Sequence, residues 1–74
     1  MADGIDIVPD SERRGLIGAL PPRQRAVAVQ RYYLEMSETE MSEALNVTPG
    51  TVKWLLHAAR TRLRTLLGWQ RSKE

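Results

Sequence analysis

The sequence predicts an all-α fold: a small bundle of three to four helices that contains a helix-turn-helix and no strands. Three observations predict it. Ser37-Glu38-Thr39-Glu40 has the S-x-x-E spacing of a capping box, which marks a helix start. Val52, Leu56, Ala59, Leu63 and Leu66 recur at three- and four-residue steps, the apolar stripe of an amphipathic helix. Between these two signals, Asn46-Val47-Thr48-Pro49-Gly50 carries both a helix stop and a helix restart.

Residues 1–10 hold Gly4, Pro9 and three aspartates without a helical period, and read as a flexible lead or the end of a linker. A first short helix is expected over Ser11–Ala19, capped by Asp10 or Ser11, although Gly15 and Gly18 weaken it. Pro21-Pro22 then punctuates the chain, and proline suits a helix's first turn. A second helix should run from Pro22 to about Leu34, with Val27, Val29, Tyr32 and Tyr33 among its apolar positions. The Ser37 capping box opens a third helix that ends near Leu45 and turns Met41, Ala44 and Leu45 inward. Asn46 tolerates the left-handed conformation that closes a helix, and Pro49 holds Thr48 extended, as an N-cap requires. The fourth helix should run from Pro49 to about Leu67, where Gly68 is a natural stop. The domain is therefore expected over residues 11–68, followed by a frayed tail, 69–74, whose Trp69 could fold back.

Size and composition narrow the function. A chain of 74 residues makes one small domain with a modest core, which leaves little room for a deep catalytic pocket. It has no cysteine, which excludes disulfides and thiolate metal sites, and one histidine cannot build a multi-histidine site. No cofactor is expected. No apolar run approaches a membrane span, and the acidic start lacks the pattern of a signal peptide. Neither a membrane nor a small-molecule substrate is an expected partner. The charge is unevenly spread. Residues 1–48 hold five arginines against eight acids, −3, whereas residues 49–74 hold six basic residues against Glu74, +5. A basic C-terminal half suits a polyanion, and it equally suits a solvated helix face.

Helices three and four, joined by a tight turn, have the spacing of a helix-turn-helix. Ser42 is small where the two helices must approach. Asn46 stands where the chain must turn through positive φ. Val52 is apolar and β-branched, suited to packing the second helix onto the first.

Residues 20–67 resemble region four of sigma-70 family proteins, particularly the extracytoplasmic-function group. The resemblance rests on Leu20-Pro21-Pro22-Arg23-Gln24-Arg25, on Gly50-Thr51-Val52-Lys53, and on Ala59-Arg60 with Arg62-Leu63-Arg64. It covers about two-thirds of the chain without a gap. LuxR-type domains share the Thr-Val-Lys opening, but the Leu-Pro-Pro-Arg-Gln-Arg start favours sigma. The resemblance implies a winged-helix-like architecture without strands, in the cytoplasm. It implies that helix four enters the major groove of double-stranded promoter DNA at a GGAAC-like −35 element. It also implies contact with the β flap of RNA polymerase core and masking by an anti-sigma factor. The DNA-binding candidates are Arg23, Arg25, Thr48, Gly50, Thr51, Lys53, Trp54, His57, Arg60 and Arg64. Thr48, Thr51 and the N–H groups that open helix four suit phosphates. Lys53 can reach phosphate or a base edge. A working sigma factor also needs the domain that binds the −10 element, so the chain reads either as an excised domain or as a stand-alone region four.

The chain departs from the family at several positions. Leu55 stands where the family commonly has an arginine, which would pair with guanine. Trp54 and Ala58 replace a small polar and a basic residue. Trp54 and Leu55 cannot both join the apolar stripe, so at least one is expected to be exposed, and exposed large apolar groups mark contact surfaces. Alternatively, Trp54 lies across a neighbouring helix. Glu35 stands where the family often has glycine, and a left-handed turn there would cost glutamate roughly 1–2 kcal/mol; a locally adjusted turn is expected instead. Gln30 takes a usually apolar position.

The competing reading is a protein-interaction module. It would bind polymerase, an anti-sigma factor or a second copy through an apolar Trp54/Leu55 surface. An enzyme is not expected. His57 has no carboxylate near it in helix four and no serine or cysteine at helical spacing, so packing or a polar contact is its expected role.

Overall fold

All four prolines stand at helix starts. Pro9 and Pro21 occupy N-cap positions, while Pro22 and Pro49 open their helices. The computed structural model describes residues 8–72. They form four helices: α1 (Asp10–Gly18), α2 (Pro22–Tyr32), α3 (Glu38–Leu45) and α4 (Pro49–Ser72), with no strand among the described residues.

α1 departs from expectation at its start. Neither Asp10 nor Ser11 caps it. Pro9 does so by backbone alone, its carbonyl accepting from the Arg13 N–H at 2.9 Å. Asp10 is already helical, its charge suits the positive helix end, and its carboxylate meets Arg14 Nε at 3.0 Å. Gly15 and Gly18 do not prevent the helix, because Leu16 and Ile17 drop into the core and tertiary packing outweighs propensity. Val8 is buried as well, so the expected lead is tied down at residues 8–10. The rest of that lead, residues 1–7, lies outside the described residues. So do the Trp69 side chain and residues 73–74.

α2 ends at Tyr32, two residues short of expectation, and the chain then turns through Glu35 at φ 52°. The Leu34 N–H donates to the Val29 carbonyl and the Met36 N–H to that of Gln30, so the turn wraps around the left-handed residue. The turn therefore keeps the conformation that favours glycine; it has not adjusted to the glutamate. α1 meets the end of α2 where the Arg13 guanidinium lies 5.9 Å from the ring centroid of Tyr33, the C-cap of α2.

α3 starts with the full capping box. Its inward face is Met41, Ser42 and half-buried Leu45, whereas Ala44 is exposed. Eight residues make two turns, and Ala44 falls outside the sector shared by positions 41, 42 and 45.

α4 is the spine. Its 24 residues pass through Gly68 without stopping, since a glycine weakens a helix but ends it only where the chain turns left-handed there. Val52, Leu55, Leu56, Ala59 and Leu63 are buried, with Leu66 half-buried beside them. They share one core with Val8, Leu16, Ile17, Leu20, Val27, Ala28 and Met41. Burial of each large side chain there contributes about 1.5–3 kcal/mol, and the inner face of α4 is thereby fixed.

Candidate nucleic-acid interface

The junction between α3 and α4 sets how α4 is presented. Asn46 adopts φ 56°, ψ 47°. Its N–H donates to the Glu43 carbonyl at 3.3 Å, and the Val47 N–H donates to that of Ser42 at 3.0 Å. This pair of bonds closes α3 as a Schellman motif. Thr48 then caps α4: the Thr51 N–H donates to Thr48 Oγ1 at 3.2 Å, and the two threonine hydroxyls lie 2.9 Å apart. Ser42 is 8% exposed in the crevice between the helices, its hydroxyl satisfied by the Thr39 carbonyl at 2.8 Å. Val52 is fully buried. Small, left-handed and β-branched residues thus stand where a helix-turn-helix needs them.

With the inner face of α4 fixed, its outer face follows. At about 100° per residue, Gly50, Lys53, Trp54, His57, Thr61, Arg64 and Thr65 share one stripe, and all are exposed. Half-buried Arg60 flanks it on one side and exposed Arg62 on the other. From Pro49 to Ser72 there is no acidic residue. The stripe is cationic and polar, and its one large apolar side chain is Trp54, 66% exposed. Trp54 therefore does not lie across a neighbouring helix.

Leu55 is a correction. It is 5% exposed and belongs to the core, so no joint Trp54/Leu55 surface exists. One residue is 100° of helix, and here that step crosses from solvent to interior.

The structure brings most, but not all, of the expected site residues together. Thr48, Gly50, Thr51, Lys53, Trp54, His57 and Arg64 lie on or at the head of the stripe, with Arg60 at its margin. Arg23 instead lines a cleft with Pro22, Ala26, Leu45, Val47 and Leu55, on the other side of α4. Arg25 is exposed on α2. Sequence reasoning missed a second groove, where Gln24 of α2 faces His57, Ala58, Thr61, Arg62 and Thr65 of α4. Gln24 Oε1 is buried there with no hydrogen-bond partner. The signal was available: Gln24 precedes buried Val27 and Ala28 by three and four residues, which puts a polar group on the inner face of α2. Among the described residues no helix is long and apolar enough to cross a membrane, and no cluster of three potential metal ligands occurs.

A capped helix pair joined by a left-handed turn, with a cationic outer stripe on its second helix, is a helix-turn-helix. The family model for sigma-70, region 4 matches residues 14–63. The RNA polymerase sigma-E factor of Streptomyces avermitilis is 45% identical over 49 residues, covering 66% of this chain and 27% of that protein. The extracytoplasmic-function sigma factor SigW of Bacillus subtilis is 44% identical over 48 residues, 65% of this chain and 26% of its own length. The sigma factor SigF of Mycobacterium tuberculosis is 35% identical over 65 residues, 86% of this chain and 25% of its own length. No solved structure matches. The chain spans about a quarter of the length of these relatives. It belongs to the sigma-70 region 4 family.

Proposed function

We propose that this domain recognises the −35 promoter element, with α4 lying in the major groove, and that it docks on RNA polymerase core through the β flap. The observation that carries the DNA reading is the outer stripe of α4, which is exposed from Gly50 to Thr65 on a helix that holds no acidic residue. A major groove admits a helix in this way, and base edges are read from its outward side chains. Lys53 and Trp54 lie one turn in from the helix start, where base contact is expected. Arg60 and Arg64, further along, serve the phosphates, as does Arg25 from α2. At the head of α4, Pro49 has no N–H and the Thr51 N–H is committed to its cap. The Gly50 N–H remains to meet a phosphate, as does the one threonine hydroxyl that does not donate to the other.

The polymerase contact is assigned to the cleft lined by Pro22, Arg23, Ala26, Leu45, Val47 and Leu55. Leu55 lies about 140° around α4 from Gly50, so a protein in the cleft leaves the stripe open to DNA. An anti-sigma factor competing for this cleft, in the cytoplasm, completes the reading. The alternative, in which the outer surface of α4 binds protein instead of DNA, loses support because Leu55 is not part of that surface.

Fluorescence anisotropy tests the DNA reading. The chain is titrated into a duplex with a GGAAC-like element and into a scrambled duplex, each over a salt series. Tighter binding to the first, with affinity falling steeply in salt, is expected. Equal affinity for both duplexes sinks the promoter assignment.

A further inference from the structure

Trp54 is the one side chain on the stripe that charge does not explain. It is 66% exposed, and a large apolar group left in water forfeits its burial energy unless a partner covers it. Its surroundings exclude a wide apolar partner. Leu55 is in the core, Lys53 and His57 stand beside Trp54 on the stripe, and Gly50 and Ala58, four residues away on either side, add no large apolar surface. An isolated indole among cationic and polar groups on an acid-free helix matches a polyanion that itself presents small apolar spots. The major groove of DNA is such a surface: thymine projects its C5-methyl group into it between hydrogen-bonding base edges.

Geometry agrees. Helical side chains lean toward the N-terminus, so the space N-terminal to Trp54 on the stripe is that over Gly50. A Cβ added at Gly50 would meet nothing nearer than Thr48 Oγ1, at 4.0 Å, so the space there is open. The indole is thus free to approach a base edge without obstruction from its own helix.

We propose that Trp54 is a specificity-determining residue that reads a thymine methyl group in the major groove. The inference rests on the DNA reading above and adds to it a base preference carried by an apolar contact.

Deoxyuridine differs from thymidine only by the missing methyl and tests the idea directly. A preferred duplex is first selected by the chain from a randomised pool, and each of its thymines is then replaced singly by deoxyuridine. At one position the wild type should lose affinity about fourfold, the value of one buried methyl-sized contact, while Trp54→Ala binds the two duplexes equally. Trp54→Leu, still apolar, should keep part of the discrimination. Circular dichroism melts of both variants, expected to match wild type because the site is exposed, separate binding loss from misfolding. A selected duplex whose deoxyuridine versions all bind like the parent overturns the proposal. So does discrimination that survives in Trp54→Ala, because another residue then reads the methyl. If the pool yields no enriched sequence, the promoter reading itself fails, and the proposal falls with it.

Discussion

Ser37 and Glu40 bond each other's backbone. The Ser37 hydroxyl accepts from the Glu40 N–H at 3.1 Å, and Glu40 Oε1 accepts from the Ser37 N–H at 2.8 Å. α3 has only two turns and is marginal by itself, so this reciprocal pair largely decides where it begins. Ser37→Ala should cost about 1 kcal/mol, which lowers Tm by roughly 4–8 °C in a domain of this size. Glu40→Gln retains an acceptor oxygen and should lose much less than Glu40→Ala. Thermal melts of the three variants check this, and equal loss from Gln and Ala would count against the bond.

Glu35 is held at φ 52° after α2, a conformation that costs a residue with a Cβ roughly 1–2 kcal/mol and glycine almost nothing. Glycine gives part of that back through its freer unfolded chain. Glu35→Gly should therefore stabilise the domain by about 0.5–1 kcal/mol, seen as a higher urea midpoint at unchanged slope. A lower midpoint would show that the glutamate side chain stabilises the turn by more than its backbone strain costs.

Trp54 and Leu55 are neighbours in sequence and opposites in environment, 66% against 5% exposed. Leu55→Ala should cost about 2–4 kcal/mol as a core truncation, while Trp54→Ala should stay within about 0.5 kcal/mol of wild type. Leu55→Arg, which restores the basic residue common in the family, should destabilise by burying a charge beside the core. Denaturation midpoints of the three variants decide the matter. A stable Leu55→Arg would mean that the guanidinium escapes through the cleft beside Pro22 and Val47.

The contrast between these two residues also shows how far the sequence could be read. The α3–α4 unit was legible because its determinants are local: the S-x-x-E box, left-handed Asn46, and Thr48 before Pro49. The stripe from Val52 to Leu63 was legible because a 3.6-residue period needs no tertiary knowledge. Leu55 was not, because it widens that stripe into a cleft floored by α2 and by the α3–α4 turn, and only the packed structure brings those together. Val8 and the run of α4 through Gly68 were missed for a related reason. Proline and glycine signals describe a local tendency, and burial against distant residues overrode the expected lead. The groove at Gln24 was readable in principle, from a polar residue at core spacing.

Arg64 stands exposed on the stripe two turns beyond His57, beyond the expected base contacts. If it meets a phosphate it carries affinity without sequence preference. Arg64→Ala should then weaken binding to specific and scrambled duplexes by a similar factor and reduce the slope of log K against log salt by about 0.9. Lys53→Ala, one turn into α4, should instead narrow the gap between the two duplexes. Anisotropy titrations over a salt series read both quantities. An unchanged slope for Arg64→Ala places that side chain off the backbone.

Gly50 separates folding from DNA approach. An added Cβ would meet only Thr48 Oγ1, at the ordinary contact distance of 4.0 Å, so alanine fits the free domain. Alanine also has the higher helix propensity, by up to about 1 kcal/mol. Gly50→Ala should therefore match or slightly exceed wild type in a thermal melt. On DNA the same methyl group stands at the head of the stripe, beside the Gly50 N–H and the threonine hydroxyl assigned to phosphate. If the helix start comes within hydrogen-bond distance of the backbone, the methyl must be accommodated there, and affinity should fall several-fold for every duplex while stability does not. Full affinity in Gly50→Ala would move the phosphate contact off the start of α4 and onto its arginines.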